Sequence, residues 1–212
     1  MQVTLTFDNG PHPEGTPYVR DVLKERGVAT TFFVVGDRIR DPALRRLAGD
    51  CRAEGHWSGN HTLTHARPLG LSGGVTDAAR EIGEAQRLLG SLSHPDRFFR
   101  PSNMGELSET LLSTAAVDHL RDGGYTLVLW NVIAHDWIHP EDWPDRATPI
   151  LETLEWALVV LHDTETSAMR RMPAFLDRLD RDGRTVVQAF PPECLPIRRG
   201  VLVGSLKGLV TP

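Results

Sequence analysis

The chain has 212 residues, of which 40% are hydrophobic and 24% charged, so it is long enough for one domain with a substantial core and has an ordinary globular composition. Its net charge of -5 excludes the strongly basic surface typical of nucleic-acid-binding proteins, and we expect no nucleic-acid partner. Its two cysteines, Cys51 and Cys194, are too few for a disulfide framework, and no apolar run approaches the ~18 residues of a membrane span.

Short apolar runs alternate with longer amphipathic segments, which is typical of α/β proteins with parallel strands. The predicted strands are 3–7, 30–35, 56–60, 98–100, 125–131, 157–161 and 184–189. The predicted helices between them are 17–26, 42–54, 76–89, 106–122, 145–156 and 166–181. Seven strands with intervening helices fit a barrel of mostly parallel strands better than an open sheet, although the pattern alone does not separate the two.

We interpret residues 1–212 as a single domain in which residues 191–212 form a C-terminal extension. The extension is rich in proline, and we expect it to pack over the barrel or to add an edge strand. Because no secretory signal precedes the first predicted strand, the chain as it stands is predicted to be cytoplasmic. Had an export signal been removed, the cell envelope or the exterior would be expected instead. Nothing in the sequence indicates the oligomeric state.

Two histidines four residues apart, His61 and His65, are the first indication of chemistry. On a helical turn this spacing places both imidazoles on one face, where they could bind one ion. The end of the first predicted strand offers an oxygen ligand, because Asp8 and Asn9 are two adjacent oxygen-bearing side chains there. Two histidines with one oxygen and an open position are typical of a catalytic zinc site. With nine histidines in the chain, a chance surface pair is the alternative.

Other polar residues also follow predicted strands: Asp8, Arg100, Asp136 and His162. The carboxyl ends of parallel strands share one rim of a barrel, and the catalytic residues of such barrels gather there. The sequence therefore predicts that these side chains meet the histidine pair in one site.

Five segments in this order resemble the motifs of a known family: 6–11 (TFDNGP), 61–65 (HTLTH), 100–101 (RP), 136–137 (DW) and 161–163 (LHD). Together they are similar to those of the polysaccharide deacetylase family, also called carbohydrate esterase family 4 or the NodB homology domain, over roughly residues 3–190. The resemblance implies a distorted (β/α)7 barrel and metal-dependent removal of an N-acetyl group from a sugar. Zinc is the expected ion, with cobalt or nickel as alternatives.

The hydrolysis of an amide needs an activated water and a proton for the leaving amine. Asp8 is the predicted base, and Arg100 is expected to orient it, as in similar enzymes. His162 is the predicted acid, held in its protonated form by Asp136. The alternatives are a turn-capping Asp8, a surface salt bridge for Arg100 and a helix start at His162, where Asp163 is interpreted as a cap.

Three further residues are predicted to contact the substrate. Trp137 and Leu161 would form apolar walls near the acetyl methyl group, although packing in the core explains both equally well. The backbone N–H of Asn103 is the predicted donor to the oxyanion.

The sequence departs from the family pattern at three places. Asn9 replaces the usual second aspartate, which lowers the charge available to a cation. A branch resembling peptidoglycan N-acetylmuramic-acid deacetylases also carries Asp-Asn-Gly, and the uncharged Ile133, three residues after Trp130, points to the same branch. Finally, segment 101–105 (PSNMG) contains one residue more than the usual motif.

The predicted function is the removal of N-acetyl groups from an acetylated amino sugar, in a glycan or an oligosaccharide. An amidase for a small non-glycan amide and a non-catalytic glycan-binding homologue remain as alternatives. Five tryptophans and two tyrosines are few for an extended sugar groove, which favours a short ligand or a shallow site.

Overall fold

The computed structural model describes residues 1–71, 74–103 and 105–211. Within these residues the strands are β1 (Gln2–Asp8), β2 (Thr31–Val34), β3 (Trp57–Asn60), β4 (Phe98–Phe99), β5 (Thr126–Leu127), β6 (Val132–Ile133), β7 (Trp156–His162), β8 (Thr185–Val186), β9 (Ile197–Arg198) and β10 (Val201–Leu202). The helices are α1 (Gly15–Glu25), α2 (Pro42–Ala53), α3 (Gly74–Ala78), α4 (Ala85–Leu89), α5 (Thr114–Asp122), α6 (Trp143–Glu152), α7 (Thr166–Met169) and α8 (Met172–Arg181). None of the helices in these ranges is long and apolar enough to cross a membrane.

The strands form one mixed, mostly parallel sheet in the order β10-β9-β5-β4-β3-β2-β1-β7-β6, with β8 pairing to β1. The sheet curls into a half-barrel, so the predicted α/β class with mostly parallel strands is confirmed. β1 and β7 run side by side over their whole length, and their register pairs Asp8 with His162. This pairing brings the carboxyl ends of both strands to the same rim.

The predicted strand 125–131 is wrong in its extent, because only Thr126–Leu127 of it forms a strand, β5, and the next strand, β6, begins at Val132. β5 pairs with β4, and β6 pairs with β7 on the other side of the sheet. Between them the chain crosses the barrel: the Val128 N–H donates to Phe99 O at 2.8 Å, and the Asn131 side chain bonds to the Leu158 N–H and to Trp156 O. One covalent segment thus joins two distant parts of the curled sheet.

Several helix predictions also need correction. The predicted helix 106–122 starts only at Thr114, because Ser113 accepts a hydrogen bond from the Ala116 N–H and caps the helix. The predicted helix 145–156 lies at Trp143–Glu152, and Trp156 already belongs to β7. The predicted helix 166–181 is divided into α7 and α8, and Pro173 lies in the first turn of α8.

The predicted helix 76–89 is helical, but its centre is a π-helical turn, Ala79–Glu84, between α3 and α4. At the C-terminus, β9 and β10 form a hairpin that pairs antiparallel with β5, so the tail extends the sheet.

The apolar core lies on both faces of the sheet. Along β7, Ala157, Val159 and Leu161 pack into the layer beneath α1, α6 and α8, whereas Leu158 and Val160 pack into the cluster on the opposite face. Alternate side chains of a strand point to opposite faces. His162 therefore lies on the face of Val160, which is the face that carries the candidate site.

Candidate active site

A cavity of about 230 Å³ opens at the carboxyl ends of the central strands. Its walls combine titratable, amide and aromatic side chains: Asp8, Asn9, His61, His65, Pro101, Asn103, Gly105, Trp130, Ile133, Trp137, Val160, His162 and Glu165. Of the predicted site residues, the cavity wall includes Asp8, Asn9, His61, His65, Asn103, Trp137 and His162. Arg100 and Asp136 lie behind this wall, whereas Leu161 faces away from it.

The prediction that His61 and His65 lie on a helical turn is wrong. They lie on a loop after β3 in which Thr62 (φ 66°) and His65 (φ 54°) adopt the left-handed conformation. The loop is held locally, because the Thr62 N–H donates to Asn60 Oδ1 at 2.9 Å and the His65 N–H donates to Thr62 Oγ1 at 3.1 Å. The two imidazole centroids are nevertheless only 4.7 Å apart, so the loop brings the rings together without a helix.

The environment keeps the imidazole of His61 neutral. Its Nδ1 lies 2.9 Å from the carbonyl oxygen of Arg100, which places the proton on Nδ1 and leaves the lone pair on Nε2. Burial lowers the pKa of His61 to about 3, although Asp8 opposes this shift. Burial also lowers the pKa of His65. Both rings are therefore in the form that ligates metal ions.

Asn9 has a backbone conformation and a side chain that fit a ligand. Its φ of 71° lies in the left-handed region, which asparagine tolerates. Its Oδ1 is buried and has no hydrogen-bond partner among the described residues, an arrangement that costs free energy unless a cation or a donor satisfies it. The described residues contain no group of three or more His, Cys, Asp or Glu suited to a metal. The donor set of Asn9, His61 and His65 fits a divalent cation.

Asp8 is held by a fully buried arginine, so a surface salt bridge for Arg100 is excluded. Arg100 Nη1 donates to Asp8 Oδ1 at 2.8 Å and to Thr6 Oγ1 at 2.7 Å. Burial alone would raise the pKa of Asp8, but Arg100, with smaller contributions from His61 and His162, more than offsets it and lowers the pKa. Asp8 is thus a buried carboxylate, and its Oδ2 lies 3.6 Å from His61 Nε2.

His162 has the opposite electrostatic environment. Its Nδ1 lies 2.8 Å from Asp136 Oδ1, and its backbone N–H donates to Asp136 Oδ2, also at 2.8 Å. Burial tends to lower the pKa of His162, but the hydrogen bond and the charge of Asp136 outweigh it, so the pKa is raised. Asp136 is fully buried and grips both the ring and the backbone. Asp136 therefore stabilises the imidazolium form, and Nε2 is left free to donate a proton.

The interpretation of Asp163 as a helix cap is wrong. The following helix has Glu165 as its N-cap, and the Asp163 carboxyl is instead buried against the loop after β1. The Thr16 hydroxyl donates to Asp163 Oδ2, and the carboxyl lies so close to Gly10 that a Cβ there would clash with it. Burial raises the pKa of Asp163 to about 6. The sequence did contain a signal for this contact, because Gly10 and Asp163 lie just beyond the ends of β1 and β7, which are adjacent strands.

The apolar walls differ from the prediction in one residue. Trp137 lines the cavity, with its ring centroid 4.9 Å from that of His162 in an edge-on arrangement. The prediction for Leu161 is wrong, because its side chain packs into the core on the far face of β7. Val160 takes that place, as the period-two alternation of the strand could have indicated.

The loop after β4 forms another part of the wall. The Asn103 side chain is tied locally, since Nδ2 donates to Gly105 O at 3.2 Å and to Glu106 O at 2.6 Å. Met104, part of the extra length noted in segment 101–105, lies outside the described residues. Trp130, Ile133 and Glu165 also line the cavity and were not predicted as site residues.

Comparison with known proteins gives a consistent picture. A family model described as polysaccharide deacetylase matches residues 1–123. The chain is 34% identical over 165 residues to a chitooligosaccharide deacetylase of Sinorhizobium fredii, covering 76% of this chain and 71% of that protein. It is 30% identical over 172 residues to a peptidoglycan-N-acetylglucosamine deacetylase of Bacillus cereus, covering 76% and 70% of the two chains.

Among solved structures, a family 4 carbohydrate esterase from Streptomyces lividans in complex with acetate has a similar fold. The TM-score is 0.73 at 24% sequence identity, and the match covers 92% of this chain and 96% of that one.

Proposed function

Because the chain belongs to the polysaccharide deacetylase family, whose members remove N-acetyl groups from sugars, we propose that its cavity hydrolyses the N-acetyl group of N-acetylglucosamine units in a glycan or an oligosaccharide. The chain is a hydrolase of the carbohydrate N-deacetylase class. The names of the two relatives favour glucosamine units over muramic acid, to which the Asp-Asn-Gly segment points.

The family is metal-dependent, and Asn9, His61 and His65 would hold the divalent ion here. The set of two neutral imidazoles and one amide oxygen favours zinc, with cobalt or nickel as substitutes. When bound, such an ion supplies Lewis-acid polarisation of the acetyl carbonyl and lowers the pKa of a coordinated water.

Asp8 accepts the proton of the attacking water. Its lowered pKa keeps it ionised at neutral pH, and Arg100 fixes the orientation of the carboxylate through Oδ1, which leaves Oδ2 for the proton. Because the register of β1 and β7 pairs Asp8 with His162, the base and the acid stand on adjacent strands of one wall.

His162 donates a proton from Nε2 to the nitrogen of the leaving amine. Its raised pKa keeps the imidazolium populated near neutral pH, and Asp136 holds the ring in the correct orientation. The backbone N–H of Asn103 donates to the developing oxyanion, while Trp137 and Val160 enclose the acetyl methyl group. Water gives its oxygen to the acetyl carbon and a proton to Asp8, and the C–N bond breaks with its electron pair on the nitrogen, which takes the proton of His162. The products are acetic acid and the free amine, and loss of the proton from Asp8 to solvent with uptake of one at His162 restores both groups.

The observation that carries this proposal is the presence, in one cavity, of a carboxylate paired with Arg100 and an imidazole paired with Asp136, whose pKa values are shifted in opposite directions. A non-catalytic binding module has no need of such an opposed pair.

The test is acetate release by chelator-treated protein, with and without added zinc or cobalt, from chitooligosaccharides and from peptidoglycan fragments. We expect release only with metal, and in peptidoglycan only from the glucosamine units. Release from muramic acid units would instead assign the chain to that branch. A protein that binds metal yet releases acetate from no sugar would favour a small-amide substrate, and a protein that binds no metal would contradict the proposal.

A further inference from the structure

The π-helical turn Ala79–Glu84 contacts the loop that carries His61 and His65 at two points. The side-chain amide of Asn60, the residue before His61, donates to Ile82 O at 2.9 Å. The carboxylate of Glu81 accepts from the Thr64 N–H at 3.0 Å and from the Thr64 hydroxyl at 3.1 Å. Thr64 directly precedes His65. The two contacts therefore grip the loop at both ends of the histidine pair.

The loop needs such support because its own conformation is costly. Thr62 and His65 both have positive φ values, and left-handed non-glycine residues are strained and persist only where surrounding contacts hold them. A π turn is itself a rare feature that occurs frequently at functional sites. Its carboxylate is well placed for the purpose, because the Glu81 side chain is only 13% exposed and its ion-pair partner, Arg80, lies on the surface.

We propose that the π turn is the positioning element of the metal site and that Glu81 is the positioning residue for His65. This rests on the metal site of the proposed function. Glu81 fixes Thr64, and Thr64 fixes the direction in which the next residue presents its imidazole. The consequence is that Glu81 sets the affinity for the ion without touching it. Hydrogen-bonded partners of this kind typically change metal affinity by about 10–100-fold when removed.

The test compares three variants of the full chain at Glu81 and at a matched position. Glu81→Ala removes both hydrogen bonds, whereas Glu81→Gln keeps an acceptor oxygen for Thr64 and removes the charge. Glu84→Ala is the control, because Glu84 belongs to the same turn but pairs with Arg40 on the surface, away from the loop. Metal affinity is measured by competition for Zn²⁺ with a chromophoric chelator, and the absorption spectrum of the Co²⁺ form reports the geometry of the ligands.

We expect Glu81→Ala to weaken binding by about 10–100-fold and to alter the Co²⁺ spectrum, with Glu84→Ala unchanged and Glu81→Gln close to wild type. Equal losses in Glu81→Ala and Glu84→Ala would reduce Glu81 to a general stabilising role and overturn the proposal. A loss in Glu81→Gln as large as in Glu81→Ala would also overturn it, because charge rather than positioning would then act.

Should Glu81→Ala fail to fold, Thr64→Val removes the hydroxyl contacts with Glu81 and with the Ala66 N–H but keeps the Thr64 N–H bond to Glu81, and a smaller loss of affinity is expected from it. Unchanged affinity in that variant would overturn the proposal. A wild-type protein that binds no metal would contradict the proposed function itself, whereas normal binding by both wild type and Glu81→Ala would overturn the positioning role alone.

Discussion

Two imidazoles of the cavity wall, His61 and His162, have pKa values shifted in opposite directions although both are largely buried, with side chains 3% and 13% exposed. The Nδ1 of His61 meets the carbonyl of Arg100, and the Nδ1 of His162 meets the carboxylate of Asp136. The pKa of His61 is lowered to about 3 by burial, whereas that of His162 is raised because Asp136 outweighs burial. The partner of one ring nitrogen thus decides whether a histidine can serve as a ligand or as an acid.

Replacing each histidine by alanine should separate these two roles. His162→Ala removes the proton donor, and the turnover number should fall by about 10²–10⁴-fold, which is the usual contribution of general acid–base catalysis. Its metal affinity should stay at the wild-type value. His61→Ala should lose the metal and, with it, the activity. Acetate release and chelator competition, run on both variants, measure the two quantities.

His119→Ala serves as the control for these variants, because His119 lies on α5 beside Tyr125, outside the cavity. It should keep both metal and activity. Loss of metal from His162→Ala would mean that the two roles are not separate, and the role of His162 as acid would have to be abandoned.

Asp163, which directly follows His162, is also a buried carboxyl. Because burial raises the pKa of Asp163 from 3.8 to about 6, the folded state binds its proton more tightly than the unfolded state does. This contribution to stability is complete below about pH 4 and is lost as the pH rises through 6, by about 3 kcal/mol. Asp163→Asn cannot titrate, so its free energy of unfolding should lack that decline. Urea titrations from pH 4 to 8 measure it, and identical pH curves for the two proteins would refute the assignment.

Asp136→Asn replaces the charged partner of His162 Nδ1 by a neutral amide, so that His162, like His61, faces an uncharged group there. The charge is lost, and one of the two hydrogen bonds from His162 loses its acceptor. The pKa of His162 should therefore fall, and the alkaline limb of the pH–rate profile should move to lower pH. Near neutral pH the turnover number should drop by about tenfold, less than after removal of the imidazole. An alkaline limb that does not move would assign it to another group.

Asn9→Asp tests the proposed metal ligands of the cavity. The backbone conformation at position 9 is one that aspartate also tolerates, and a carboxylate adds a full charge to the ligand set. Metal affinity should rise by about tenfold, equivalent to about 1.4 kcal/mol. Chelator competition measures the rise. If affinity is unchanged, the side chain at position 9 does not contact the ion.

The sequence was sufficient to predict that the catalytic residues gather at the carboxyl ends of the strands. The apolar runs of β1 and β7 end at Asp8 and His162, and parallel pairing alone brings those ends together. It was insufficient wherever the backbone departs from regular structure. The left-handed residues Thr62 and His65 carry no glycine to mark them, so the loop was mistaken for a helical turn.

Features that depend on contacts between residues far apart in the chain could not be predicted from the sequence either. The apolar run 125–131 has no break at the point where the chain crosses from β4 toward β7, so it was predicted as one strand. Asp163 resembles a cap in sequence because nothing local indicates that Gly10 will lie against it. The error at Leu161 was avoidable, since His162 and Val160 share one face by simple alternation.

The segment 128–131, which connects β5 to β6, is linked through Arg100 to the predicted base Asp8 on β1. Arg100 reaches Asp8 with Nη1, while its Nε and Nη2 donate to the carbonyls of Val128 and Leu129 on that segment, both at 3.3 Å. The rigid guanidinium plane fixes the distance between the Asp8 carboxylate and the carbonyls of the segment. Lysine, with a single nitrogen on a flexible chain, could not replace it. An insertion near Val128 would therefore displace the carboxylate of Asp8 and impair proton uptake from the far side of the barrel, with every catalytic side chain still present.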